Sequence, residues 1–524
     1  MTYTRASRRV GQLLGAVAVS ALLAPTTLPS TASAETIRAA VRGMPPGEGN
    51  PYTGRGIPHV FMWSSMFDYM VEMDAQGNPL PGVAESWKNI DKDTWQFTLR
   101  PNVTYTNGEK LNAQAVKATM DWLVKTDPGK ASVTGRDMVT VVREVNVISD
   151  TVVEIKTVTP NPIAPKRMGA VAITPAKAWA DMGPAAFAKA PATAGPYKIV
   201  YFKPGEGEVE AYPGSWRKIT GNVDRIRYIE IPEPPARVAA LQGGQVEIDV
   251  QTSIDALDQL RRAGFSVDIG APPRTIGLSL VTMRKKDAQS KAEPISGPLK
   301  DVRVRRALNH AINKDAIVQN IFKGAGAAVG QMATRTSFGF NPDIKPYAYD
   351  PALAKKMLGE AGFPNGFELE GRASAGNATF DLLYQSGVQD LQAVGVRVKF
   401  QSQPFPEWLK HWLAGDWPYD MFGFGTDLTS TLDASQSFKD YASCLKESPY
   451  YCNEAEVPLI NAALSEFDQD KRKKLLQDLL KINAENAPII FLAEGGEPVA
   501  YTSKLRNFKQ ANTVFNWHEM VLQR

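Results

Sequence analysis

A mixed α/β fold of about three structural units is what this sequence predicts, on three observations. The chain has 524 residues, 43% of them hydrophobic, which at roughly 150 residues per domain is enough for more than one buried core. Segments with period-two apolar alternation are interspersed irregularly with segments of helical period, as strands and helices sharing one domain require. Long unbroken βαβ repetition is missing, which argues against a plain dinucleotide-binding fold. The formal charge is only +4, from 59 Lys+Arg against 55 Asp+Glu, so there is no electrostatic drive toward nucleic acid.

The elements follow in chain order. Arg5, Arg8 and Arg9 precede an acid-free apolar stretch over residues 10–24, and the segment ends in Ala32, Ser33 and Ala34. A positive start, a short apolar run and a small-x-small end predict a secretory signal peptide over residues 1–34, too short and mild for a membrane anchor. Arg8 and Arg9 fit twin-arginine export, whereas Gly11 and Gln12 favour the general route, so both stay open,. Cleavage removes three arginines and leaves 490 residues with a charge of +1. No cysteine follows the apolar run and no later stretch approaches 18 apolar residues, so a soluble exported protein is expected,.

Residues 95–100 alternate apolar and polar and predict a half-buried strand, closed by Pro101,. Val116, Met120 and Leu123 share one face of a helix over 112–124, with Asn112 as its N-cap,. Further strands are expected at 152–155, 225–231, 246–250 and 276–281, and helices at 302–322, 351–361, 378–394 and 471–486,. The glycine-rich residues 324–330 follow a helix and lack G-x-G-x-x-G spacing, so they read as a loop,. Neither G-x-x-x-x-G-K-[ST] nor G-x-S-x-G occurs, which removes two direct routes to an enzyme.

Cys444 and Cys452 are the only cysteines. Export to an oxidising compartment predicts a disulfide between them, with two free thiols or a metal site as alternatives. His59, His310, His411 and His518 are far apart and form no ligand motif, so no metal and no cofactor are expected.

Residues 66–74 (MFDYMVEMD), 77–87 (GNPLPGVAESW), 94–103 (TWQFTLRPNV) and 106–116 (TNGEKLNAQAV) form an ordered set. The set continues through 193–200 (TAGPYKIV), 240–249 (ALQGGQVEID), 301–313 (DVRVRRALNHAIN), 349–367 (YDPALAKKMLGEAGFPNGF) and 419–427 (YDMFGFGTD). In this order they resemble the peptide/nickel class of ABC-transporter solute-binding proteins, family 5, across essentially the whole mature chain. Most of these residues read as scaffold, filling core and closing turns, rather than as ligand contacts.

The resemblance implies an α/β two-lobed periplasmic-binding-protein clamp, type II and cluster C-like, with an extra subdomain in lobe I. On that pattern lobe I holds residues 35–272 plus 487–524, with the extra subdomain at 67–195, and lobe II holds 273–486. The expected crossings are at 270–274 and 486–490, both containing proline, which restricts φ,. The implied function is extracytoplasmic capture of a small solute, most often a short peptide, by a periplasmic monomer that delivers it to ABC permease subunits. An opine, a sugar conjugate or a metal chelate is the alternative cargo. A secreted hydrolase, or a sensor or chaperone using the same clamp, is the alternative class.

Candidate ligand contacts follow from the same resemblance. Asp427 occupies the place that receives a peptide's α-ammonium in relatives, a charge-assisted pair that strengthens in a dry cleft. The Asp/Glu-Pro pair that normally follows is replaced by residues 428–433 (LTSTLD), which contain no proline, so Asp427 is equally a candidate cap for the next turn,. Arg372, in the Gly/Ala/Ser-rich run 370–376, is the candidate fork for a carboxylate, with a solvated loop arginine as the alternative,. Tyr52, in 47–54 (GEGNPYTG), and Trp63 are candidates to line the cleft. Trp408 and Trp417, with Trp412 between them, are candidates to stack on an apolar group, which core packing explains equally well for Trp412,.

Overall fold

The strand β1 (Glu35–Val41) buries Ile37, Ala39 and Val41 completely and runs parallel to a strand nearly two hundred residues later. The structure is a computed structural model. It describes residues 34–524 except 46, 55–58, 273, 286–289, 376–377, 428–430, 441–443, 445–449 and 512–513, so residues 1–33 of the expected signal peptide lie outside the described residues.

After β1 come α1 (His59–Met66) and a small hairpin of β2 (Val71–Met73) and β3 (Pro79–Pro81). Four antiparallel strands then form a separate sheet in the order β4-β5-β7-β6, from β4 (Ala84–Asp91), β5 (Thr94–Leu99), β6 (Val142–Ser149) and β7 (Val152–Thr157). The period-two reading of β5 holds: Trp95, Phe97 and Leu99 are buried. Between β5 and β6, α2 (Ala113–Lys125) buries Val116, Met120 and Leu123, and the Asn112 side chain accepts from Ala115 N at 3.1 Å, as an N-cap should,. The short helix α3 (Ala164–Met168) returns the chain to β2 and sinks Ala164 and Met168 into the same core.

The chain then builds β8 (Tyr197–Lys203), β9 (Glu206–Ala211), β10 (Val223–Glu230), the two-residue β11 (Ile248–Asp249) and β12 (Ser266–Ile269). It crosses into a second sheet at β13 (Arg274–Leu280). The helix expected over 302–322 is broken: α4 (Val302–His310) ends, Asn313 caps a new turn by accepting from Ala316 N at 3.0 Å, and a π-turn covers Val318–Phe322. The glycine-rich 324–330 is not wholly loop, because β14 (Gly326–Ala327) pairs with a later strand. There follow β15 (Phe367–Ser374), β16 (Val396–Gln403), α5 (Phe405–Ala414), β17 (Met421–Asp427), α6 (Ala434–Asp440) and α7 (Gln469–Asn486). The chain closes through β18 (Ile489–Gly495) and β19 (Pro498–Tyr501).

Two lobes result. The first holds a seven-stranded sheet ordered β12-β19-β11-β1-β10-β9-β8, and the second a six-stranded sheet ordered β14-β18-β13-β17-β15-β16. The return crossing lies at residues 496–497 rather than at 486–490, because β18 stays in the second sheet and pairs antiparallel with β13. Alternate residues of β18 explain why it stays. Ile490 and Leu492 enter one core with Leu278, whereas Ile489 and Phe491 enter the opposite core with Trp417 and Leu476. A strand buried on both faces is a central strand, and moving it to the other lobe would expose both sets.

Candidate functional site

A cavity of about 700 Å³ lies along the first lobe. One wall is α1, which presents Val60, Trp63 and Ser64, the spacing that puts residues on one helical face, and Phe67 just beyond its end continues the wall,. The hairpin supplies Val71, Met73 and Leu80, and the C-terminal segment supplies Phe508, Val514 and Phe515. This wall is rigidly held. The Trp63 indole N–H donates to Glu48 O at 2.9 Å, and Phe515 stacks on Phe61 with ring centroids 4.1 Å apart.

The ends of the cavity locate it relative to the second lobe. At one end Asp268 and Gln510 lie beside the first crossing, where the Gln510 side chain packs over Gly270. At the other end are Asp74, Ala75, Gly169 and Ala170, next to contacts that span the lobes. The hairpin turns at Gly77, with φ +73°, and a Cβ there would sit 2.5 Å from Leu432 Cβ of the second lobe, so glycine is required for both the turn and the approach,. From α3, Lys166 Nζ lies 3.9 Å from Asp433 Oδ2, and Arg167 Nη1 donates to Gln436 Oε1 at 2.8 Å. The described lining residues belong to the first lobe, so the cavity runs along it from the crossing to the cross-lobe contacts.

Most charges around the cavity are already paired. Arg217 is bound to Glu72 and lies 3.4 Å from Asp68, and the Trp216 indole donates to Asp68 at 2.6 Å. Lys509 pairs with Glu519 at 3.0 Å, and the Asn516 amide donates to the same carboxylate at 2.8 Å, holding it below the usual carboxylate range. Burial, aided by Arg217, lowers the His518 imidazole, which keeps it neutral at pH 7. Asp74 accepts from Gln76 N at 2.9 Å, Asn78 N at 2.8 Å and the Asn78 amide at 2.8 Å. Asp268 is different: it is half-buried, burial raises its carboxyl, and no described cation pairs with it.

Of the candidate residues whose side chains are described, Trp63 lines this cavity and the others do not. Tyr52 does not face the cleft. It is 1% exposed, its hydroxyl donates to Ala172 O at 2.7 Å, and its ring packs against Trp122 and Trp179 in the core. Trp417 is also core, fully buried, with its indole donating to Met421 O at 3.2 Å. Trp408 stacks on Trp412 at 5.8 Å and meets Trp417 edge-on at 6.0 Å, so the tryptophans pack on one another. Arg372 lies in β15 rather than in a loop. Its guanidinium sits 4.2 Å over the Tyr419 ring and donates to Gly371 O at 2.9 Å. Asp427 ends β17 opposite Arg274, which places its backbone beside the first crossing, while its side chain lies outside the described residues.

Cys444 and Cys452 form a disulfide. Within this loop the Tyr450 hydroxyl donates to His411 O at 2.9 Å, tying the loop to the tryptophan-bearing α5. Among the described residues no group of three or more His, Cys, Asp or Glu is placed to hold a metal ion, and no helix is long and apolar enough to cross a membrane. The cavity residues from 508 to 519 carry no sequence signal, because they reach α1 only through the fold.

The chain matches the family described as bacterial extracellular solute-binding proteins, family 5 Middle, over residues 78–444, more than half its length. It is 24% identical over 518 residues to the dipeptide-binding protein of Escherichia coli (strain K12), covering 91% of this chain and 93% of that one. It is 25% identical over 501 residues to the glutathione-binding protein GsiB of Pectobacterium atrosepticum, covering 90% and 91%. The solved structure of HbpA2 from Haemophilus parasuis superposes with a TM-score of 0.80 at 20% identity, covering 94% of this chain and all of that one.

Proposed function

Since the chain belongs to the bacterial extracellular solute-binding proteins of family 5, we propose that it is the periplasmic component of an ABC import system that captures a short peptide and delivers it to permease subunits. In this reading residues 1–34 export the protein, which works as a monomer. The observation that carries the reading is the cavity itself, open along one lobe and ending at the cross-lobe pairs Lys166–Asp433 and Arg167–Gln436. A solute held there adds contacts to the second lobe only when the lobes close, so it favours closure by the difference in affinity between the two states. Permease subunits then read closure. Curated relatives named for a dipeptide and for glutathione support a peptide-like cargo.

The test is native mass spectrometry of protein isolated from its own periplasm, followed by a thermal-shift screen of di- and tripeptides. A ligand at about 100 times its dissociation constant stabilises by about 2.7 kcal/mol, which such a screen resolves. A retained peptide, with no cleavage on incubation, is the expected result. Turnover of the peptides overturns the transport reading.

A further inference from the structure

We propose that the cross-lobe contact at the end of the cavity away from the crossing is a latch built from protein groups alone, and that Lys166 is its release element, a buried cation that keeps the latch from locking. The device concerns the movement of the lobes and works in the same way for any cargo.

Three contacts hold the latch. Leu432 of the second lobe is fully buried, with its side chain against Gly77 of the β2–β3 turn. Phe467, two residues before α7, packs against the core of the first lobe with its ring 6.2 Å from that of Trp95. Arg167 donates to Gln436 at 2.8 Å. None of Leu432, Phe467, Trp95, Arg167 and Gln436 is among the described lining of the cavity. Their contribution therefore favours closure whether or not a solute is held, because it is made between the two lobes and not with the solute.

Lys166 acts in the opposite sense. Its side chain is 12% exposed and reaches from α3 into the second lobe, where the carboxylate it meets is already satisfied. Asp433 accepts from Arg472 Nη1 at 2.8 Å, Arg472 Nη2 at 2.7 Å and the Ser435 hydroxyl at 2.6 Å, all within its own lobe. Lys166 Nζ is left 3.9 Å from Asp433 Oδ2 and 5.4 Å over the Phe338 ring, which Arg472 also faces at 5.1 Å. Two cations thus share one carboxylate and one ring, and among the described residues Lys166 Nζ has no hydrogen-bond acceptor. A buried ammonium without hydrogen bonds loses more on leaving water than a shared carboxylate returns. The lowering of the Lys166 ammonium, by burial first and in spite of Asp433, agrees with this balance. Parting the lobes returns the ammonium to water, so Lys166 favours opening while Leu432, Phe467 and Arg167 favour closure. The apparent affinity of a clamp scales with its competent fraction, so this opposition sets how readily any solute is released.

The experiment needs no cargo. The mature protein and its Lys166→Met and Phe467→Ala variants are stripped of retained solute by unfolding and refolding with the disulfide intact, and amide hydrogen exchange is followed by mass spectrometry. Segments 74–80, 162–170, 432–438 and 464–472 report opening of the latch, since exchange there follows the open population, and β13 and β18 report the fold. Methionine fills the space of the lysine stem without the charge, so Lys166→Met should slow exchange in the four latch segments by about fivefold or more. Phe467→Ala should quicken it by about tenfold, with β13 and β18 unchanged in both variants. If Phe467→Ala also loosens β13 and β18, Lys166→Met decides alone. Faster exchange at the latch in Lys166→Met would make Lys166 a strut instead of a release, and exchange equal in all three proteins would mean that there is no latch; either result overturns the inference. The import reading is decided separately by the solute retained from the periplasm and stands or falls without this one.

Discussion

Replacing Asp433 by asparagine tests the charge arrangement that joins the lobes. Asp433 is fully buried and accepts from Arg472 Nη1 at 2.8 Å and Nη2 at 2.7 Å, and from the Ser435 hydroxyl at 2.6 Å, with Lys166 of the other lobe 3.9 Å away. Burial alone would raise its carboxyl, but Arg472 and Lys166 overcome that and lower it to about 2. Relative to an ordinary value of 3.8, a lowering of this size means that the charged form is favoured by about 2 kcal/mol. Asp433→Asn also leaves Arg472, 1% exposed, without its anion, and breaking one side of a buried pair costs roughly 3–5 kcal/mol. The expected loss in urea denaturation at pH 7 is therefore about 2–5 kcal/mol. The pH dependence has a definite sign: a depressed folded value makes the contribution complete above the unfolded value and removes it as pH falls toward 2. The difference between the two proteins should shrink below about pH 4. A loss under about 1 kcal/mol at pH 7, or a difference that stays constant down to pH 2.5, refutes the reasoning.

Other consequences are as direct. Arg167→Met removes the bond to Gln436 across the lobes, so the solute-free protein should show a larger radius of gyration by small-angle scattering and an affinity about 2- to 10-fold weaker; unchanged dimensions contradict it. The disulfide closes a short loop, so Cys452→Ser should cost about 2–3 kcal/mol and, by freeing Tyr450 from α5, shift tryptophan emission to the red. An equal urea midpoint with and without reductant would argue against that. The Glu456 carboxyl is raised to about 7, chiefly by burial. Ionising it therefore costs stability as pH rises from the unfolded value through 7, and Glu456→Gln should flatten stability between pH 5 and 8. The same slope in both proteins would show that burial is not the cause.

The scaffold was more legible than the site, for a physical reason visible in particular residues. Trp95, Phe97 and Leu99 announce β5 by alternation, and Asn112 announces α2 by its capping oxygen. Both signals are local, and both were readable. Tyr52 and Trp417 were misplaced because an aromatic ring serves equally in a cleft or a core, and what decided was a distant carbonyl, Ala172 O for Tyr52 and Met421 O for Trp417,. The crossing at 496–497 was missed by about ten residues because proline and glycine mark many bends, whereas the double-sided burial of β18 depends on strands far away in sequence. Phe515 against Phe61 belongs to the same class. Trp63 was a candidate only from its place near the opening of the family pattern, and its partners across the cavity could be known only from the fold.

Affinity and closure need not come from the same residues. The described lining belongs to one lobe, and a contact made equally in open and closed states tightens binding without shifting the balance between them. Moving that balance from 1:99 to 99:1 takes about 5.5 kcal/mol of differential affinity, more than the cross-lobe hydrogen bond of Arg167 provides at roughly 0.5–1.5 kcal/mol. The closing interactions must therefore be made by the second lobe, whose strand β17 ends beside the crossing, opposite Arg274. Two substitutions separate the roles. Val60→Ala trims the wall on the first lobe and should weaken binding by about fivefold, as expected for two buried methyls at roughly 25 cal/mol per Å² in a half-exposed site, while saturating solute still produces the closed dimensions. Asp427→Asn, at the position that the family resemblance assigns to the ammonium, should leave a saturated protein partly open. If the Val60→Ala protein fails to close at saturation, or the Asp427→Asn protein closes fully, the division of labour between the lobes is wrong.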